Sequence, residues 1–142
     1  MQRWCALADV NLLRLPAAVR AALIDHARRE APDECCGLLI GKGSTVTEAH
    51  PARNNVASGS RFQINPADHF VAIRKARAAG LEVLGAYHSH PTSSALPSAS
   101  DLAEASEGAP VMVIVSLTPP APVVRAFLLE RGGSKEIRLV AD

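Results

Sequence analysis

The chain has 142 residues, 48% of them hydrophobic and 20% charged, with a formal net charge of +1. That length and balance fit one globular domain able to bury roughly two thirds of the surface its unfolded form exposes, and they exclude a disordered chain. A near-neutral charge, 4% aromatic residues and no long basic run leave no footprint for nucleic acid, so a protein partner or a small substrate is expected.

No apolar run approaches the ~20 residues that span a bilayer. Met1-Gln2-Arg3-Trp4 lacks the charged-then-apolar pattern of a secretory signal, and a cytoplasmic location away from membranes is expected. The three cysteines agree, because an odd count without a C-x-x-C pair points to reduced thiols. Cys35 and Cys36 stand inside a short apolar run and read as strand residues, one or both buried; Cys5 is remote from them.

In chain order, residues 15–29 begin with Pro16 in the first-turn position and set Val19, Ala22, Leu23, His26 and Ala27 on one stripe, which predicts an amphipathic helix. His26 pairs in spacing with Glu30, and without a second histidine that pair reads as solvated or at the core edge. Pro32 stops the helix. Residues 35–41 read as a buried strand that turns at Lys42-Gly43-Ser44 into a second strand over 45–50. Glu34 enters the first of these beside apolar neighbours, where a carboxylate is costly without a partner, so its presence is a functional pointer.

A polar loop is expected over 54–60 and a short strand over 61–64. Asn65 then caps a helix with Pro66 first and Asp68 at N3, Phe70, Ile73 and Arg77 share a face of it, His69 reads as surface, and Gly80 ends it. Strands follow over 81–88, 111–117, 123–129 and 137–140, with a stiff Pro119 to Pro122 connection, an Arg131-Gly132-Gly133 turn, and a helix running from Ser98 through Ala105 with Glu104 on its surface. Strands outnumber helices and alternate with them. The expected fold is α/β, a curved mixed central sheet with two main flanking helices.

The chemistry concentrates in residues 85–101, G-A-Y-H-S-H-P-T-S-S-A-L-P-S-A-S-D. Residues i and i+2 of a strand point to one face, so a strand extended to His90 projects His88 and His90 together. Pro97-Ser98 looks like a helix start with Ser98 as N-cap and Asp101 at N3, from where a carboxylate can be aimed back at the histidines. Two nitrogens and one oxygen suit Zn2+, and three protein ligands with an open fourth position is the catalytic rather than the structural arrangement.

His88-Ser89-His90-Pro91, Ser98 and Asp101, together with Glu34 in Pro32-Asp33-Glu34-Cys35-Cys36-Gly37, resemble the JAMM (MPN-plus, Mov34/PAD-1) metallopeptidases. The resemblance runs from about Leu15 to the last strand and is greatest to the short bacterial members, which include the peptidase releasing cysteine from a sulfur-carrier protein. It implies a single MPN domain over residues 1–142, cytidine-deaminase-like in fold, with one Zn2+ held by His88, His90 and Asp101. It implies also Glu34 as general base and then general acid, and Ser98 as hydrogen-bond donor to the oxyanion of the tetrahedral intermediate. The implied substrate is a small ubiquitin-like or sulfur-carrier protein ending in Gly-Gly, whose extended tail could pair along a strand edge.

Three other readings compete. Metal-free scaffold members of the family have lost ligands that this chain keeps. A zinc deaminase needs a P-C-x-x-C half that is missing. A DNA-repair-associated branch shares H-x-H-P and P-S-x-x-D, but Glu34 in its E-x-C-G context and the lack of a basic patch weigh against it. The short run from His90 to Asp101 has no insertion to grip a second folded protein, so chain-linkage specificity is not expected, and a homo-oligomer is left open.

Overall fold

The computed structural model describes residues 11–104, 111–130 and 133–141. The expectations for Cys5, the first four residues, the Glu104 side chain, the extension of the helix to Ala105 and the turn at Arg131-Gly132 lie outside them. The chain opens with a three-residue strand, β1 (Leu12–Arg14), which the sequence reading did not anticipate, and helix α1 (Ala17–Glu30) follows. Pro16 is the N-cap of α1 rather than part of its first turn, because Leu15 still belongs to the sheet, its N–H donating to the Val140 carbonyl at 2.8 Å. The buried face of α1 is Val19, Leu23, Ile24, His26 and Ala27; Ala22 is exposed, and Ile24 takes its place.

Strands β2 (Cys36–Lys42) and β3 (Thr45–Ala52) form the expected hairpin, with Gly43 at the turn in the left-handed region at φ 62°. Helix α2 (Pro66–Ala78) starts as read: the Asn65 side chain accepts from the Asp68 N–H, and Gly80 just past the helix has φ 72°. Its orientation differs from expectation. His69, Ala72 and Ala76 are the buried residues, and Phe70 is 59% exposed, with the Arg74 guanidinium 5.9 Å from its ring centroid. Small side chains on the buried face let the helix lie close on β2 and on β4 (Glu82–His90), which puts His69 in the interior, not on the surface. No strand forms over 61–64; only a single bridge, Asn54 to Ile64, is made there.

A short helix α3 (Ala99–Glu104) leads on to β5 (Val111–Ser116), β6 (Val123–Glu130) and β7 (Gly133–Val140). β7 is longer than expected because its pairing with β6 continues to Glu130 opposite Gly133. The strands form one ring of pairings in the order β1–β3–β2–β4–β5–β6–β7, closed by β1 lying parallel to both β7 and β3. β4 and β5 are also parallel and the remaining pairs antiparallel, so the sheet is mixed as expected, but closed.

β2 is buried from Cys36 to Gly41. On one side Cys35, Leu39, Leu84 and Tyr87 join the α1 core; on the other Cys36, Leu38, Ile40, Ala86 and Met112 join the α2 core. Opposite Ile40 both neighbours of β2 carry an extra residue, Thr47 in β3 and Leu84 in β4. Such bulges bend and twist a sheet locally, as a closing ring requires. The one in β4 also resets its alternation, sending Ala86, His88 and His90 to the α2 side and Tyr87 to the α1 side. No helix among the described residues is long and apolar enough to cross a membrane.

Candidate metal centre

His88 and His90 end β4 and are buried, at 0% and 2% exposure. Asp101 reaches them from α3 and is equally enclosed. Its Oδ2 lies 3.0 Å from His88 Nε2 and 3.1 Å from His90 Nε2, and the two Nε2 atoms are 3.1 Å apart. Asp101 is aimed by a reciprocal cap: its N–H donates to Ser98 Oγ at 3.0 Å, and the Ser98 N–H donates to its Oδ2 at 2.9 Å.

The outer nitrogens of the rings decide what the inner ones offer. His90 Nδ1 is 2.6 Å from the Ser94 carbonyl, an acceptor, so that nitrogen carries the proton and Nε2 presents a lone pair inward. His88 Nδ1 is 3.2 Å from the Met112 sulfur, again an acceptor, and the ring is held flat against Phe62 with centroids 4.2 Å apart. Three acceptor atoms thus face one another across 3.0–3.1 Å. That is repulsive unless a cation or protons sit among them. A tetrahedral site with bonds of ~2.0–2.1 Å has ligand edges of about 3.3 Å, close to the triangle found here, so the residues fit a metal ion.

Burial and charge set how readily each of these atoms takes a proton in place of a cation. Burial disfavours a charged His88 and lowers its pKa despite Asp101. Burial also works against a charged His90, but the hydrogen bonds to Asp101 and Ser94 and the charges of Asp101 and Glu34 outweigh it and raise its pKa. Asp101 loses solvation, yet the two adjacent histidines and the Ser98 N–H hold its carboxyl well below the usual carboxylate range.

Glu34 stands just before β2. Cys36 pairs with His88, and Cys35 and Ser89 exchange hydrogen bonds, Cys35 N–H to Ser89 Oγ at 2.8 Å and Ser89 N–H to the Cys35 carbonyl at 3.1 Å. Continuing that register sets Glu34 across from His90 and on the same face of the sheet. The residue is 3% exposed, and Oε1 has no hydrogen-bond partner among the described residues. Burial pushes its pKa up to about 7, against the lowering effect of His90.

All five sequence-singled residues therefore meet at one end of β4, Ser98 through its cap to Asp101. Of the other residues singled out, Cys35 and Cys36 are buried, free and pushed up to about 11 and 12 by burial, which makes them packing residues rather than reactive thiols. His26 turns into the other core, its Nδ1 2.8 Å from the Tyr87 hydroxyl. The sequence reading missed Phe62, Ser94 and Met112, which orient the rings. For Met112 a signal existed, since alternate residues of a strand beside β4 must face the same side as His88.

The profile of the prokaryotic homologs of the JAB domain matches residues 16–130. The chain belongs to this JAB family. Relatives within reach include a desampylase of Haloferax volcanii, 38% identical over 112 residues covering 73% of this chain and 80% of that protein. The CysO-cysteine peptidase of Mycobacterium tuberculosis is 34% identical over 113 residues, 78% of this chain and 77% of the peptidase. A probable TtuB-protein conjugate cleaving protease of Thermus thermophilus is 33% identical over 130 residues, 91% of this chain and 82% of the protease. Among solved structures, a protein of Desulfitobacterium hafniense superposes with a TM-score of 0.82 at 32% identity, covering 90% of this chain and 91% of its own. The JAB match spans the elements that carry Glu34, His88, His90, Ser98 and Asp101.

Proposed function

We propose that this JAB-family chain is a zinc-dependent hydrolase that cuts the amide or isopeptide bond after the C-terminal Gly-Gly of a small ubiquitin-like or sulfur-carrier protein. The observation that carries the reading is the inward convergence of three lone-pair donors, His88, His90 and Asp101, beside Glu34, whose buried Oε1 has no hydrogen-bond partner among the described residues. The chemistry supplied by zinc held there is Lewis-acid polarisation of the scissile carbonyl and acidification of water. Relatives named for cleaving carrier-protein conjugates support the bond type.

Each residue then has a task. Glu34, with a pKa near 7, accepts the proton of the attacking water on Oε1 and delivers it to the departing amine nitrogen as the C–N bond breaks, leaving a carboxylate on the carrier. Ser98 Oγ accepts the Asp101 N–H and lies 3.1 Å from Ser100 Oγ; with the Ser100 hydroxyl donating in that contact, the Ser98 O–H is available to donate to the oxygen that gains charge in the tetrahedral intermediate. Ser94 and Met112 hold the tautomers that keep both Nε2 lone pairs inward.

The test is direct. Freshly purified, unchelated protein should hold about one zinc per chain, with occupancy lost in His88→Ala and Asp101→Ala. Carrier adducts ending in Gly-Gly, with cysteine or a lysine side chain as leaving amine, should be cut, and the same adducts ending in Ala-Ala should not, as followed by mass spectrometry. Metal-free protein, or equal cleavage of both tails, would sink the proposal.

A further inference from the structure

Glu34 precedes β2 and lies outside its ladder, so the sheet alone does not fix its peptide. Cys35 is the last residue held from the sheet side, by Ser89. The hydrogen bonds of Glu34 go elsewhere: its N–H donates to the Ser58 carbonyl at 2.7 Å, and its own carbonyl accepts from Asn54 Nδ2 at 3.1 Å. Both partners sit in the segment between β3 and α2.

That segment is folded around one side chain. Asn54 Oδ1 accepts from the N–H of Val56 at 3.1 Å and of Gln63 at 2.9 Å, and Nδ2 also donates to the Arg61 carbonyl at 3.1 Å. A carboxamide has two donor hydrogens and two acceptor lone pairs. Here all four are used, and all four go to backbone. The backbone on either side of Asn54 adds the bridge to Ile64, Asn55 N–H donating to the Gln63 carbonyl at 2.9 Å and Asn65 N–H to the Arg53 carbonyl at 3.0 Å.

We infer that Asn54 is the positioning residue for Glu34: its one amide ties both ends of the 54–63 loop to the Glu34 carbonyl and so holds the peptide from which the proton-carrying carboxylate hangs. The inference rests on the role proposed for Glu34 above. It is distinct from a role in metal binding, because the groups that orient His88, His90 and Asp101 are Met112, Ser94 and Ser98.

Asn54→Asp separates the two halves of the amide. It keeps an acceptor for Val56 and Gln63 and sets an oxygen against the carbonyls of Glu34 and Arg61, where a donor is needed. In hydrogen exchange, which needs no substrate, the Glu34 amide of Asn54→Asp should exchange at least about tenfold faster than in the parent protein while the amides of β4 keep their protection. On a Gly-Gly adduct, kcat should fall about tenfold or more with KM and zinc affinity within about threefold of the parent values, since misplacing a reacting group costs rate rather than binding. Asn54→Ala removes all four bonds and should show the larger form of the same pattern.

Unchanged exchange at Glu34 in a folded Asn54→Asp would overturn the inference, and so would loss of protection spreading into β4, which would mark Asn54 as a general structural residue. If the parent protein leaves the adduct intact, that counts against the hydrolase reading, and the exchange result still decides this one.

Discussion

Glu34 combines 3% exposure with a pKa pushed by burial from its usual 4.5 to about 7, and that pair of facts gives a signed expectation. A raised pKa means that the folded state favours the protonated carboxyl. Its contribution to stability is fully present below 4.5 and is lost as pH rises through about 7. Glu34→Gln keeps the shape and cannot ionise, so in chelated protein its melting temperature should rise relative to the parent between pH 5 and pH 8, by the equivalent of about 1–3 kcal/mol. Thermal melts at the two pH values would check it, and an offset independent of pH would contradict it. With metal present, the same variant should retain zinc and lose at least about a hundredfold in turnover. The residue was legible in the sequence as a carboxylate among apolar neighbours. Its position across from His90 was not, because that depends on a register between strands whose paired residues lie 41 to 52 positions apart.

At the scale of elements, what was legible was what local chemistry dictates. Asn65-Pro66 and Asp68 mark the start of α2, the alternation of β4 aims both histidines one way, and Ser98 with Asp101 marks α3. The readings that failed depend on distant partners. β1 has three residues and depends on its pairing with β3 and, over all three, with β7, whose matched residues lie 126 positions away. The buried face of α2 follows from the sheet it meets, which selected Ala72 and Ala76 over Phe70. A close approach of the same kind fixes Gly37, where an added Cβ would fall 2.5 Å from both the His50 carbonyl and the Tyr87 ring. Gly37→Ala should therefore destabilise by about 2 kcal/mol or more, read as a lower urea midpoint. Ser98→Ala loses a helix cap worth about 1 kcal/mol. It should also lower the rate by about a hundred- to a thousandfold as the oxyanion donor is removed, with Ser98→Thr recovering most of both.

For the whole molecule, the proposed function makes metal and protons rivals for the same three atoms. Zinc affinity should weaken at least about tenfold between pH 7.5 and 5.5, because both Nε2 atoms must be free of protons to bind it; a competition titration with a chelating dye would show this, and a flat profile would argue against the ligand set. The reciprocal cap between Ser98 and Asp101 carries this further. The two residues that start α3 are also the ones that complete the ligand triangle, and a six-residue helix has little ability to sustain itself. Chelation should thus loosen residues 91–104 ahead of the rest of the chain, visible as new subtilisin cuts there that zinc suppresses. In a cell with active proteases, the lifetime of this protein would then follow the supply of its metal.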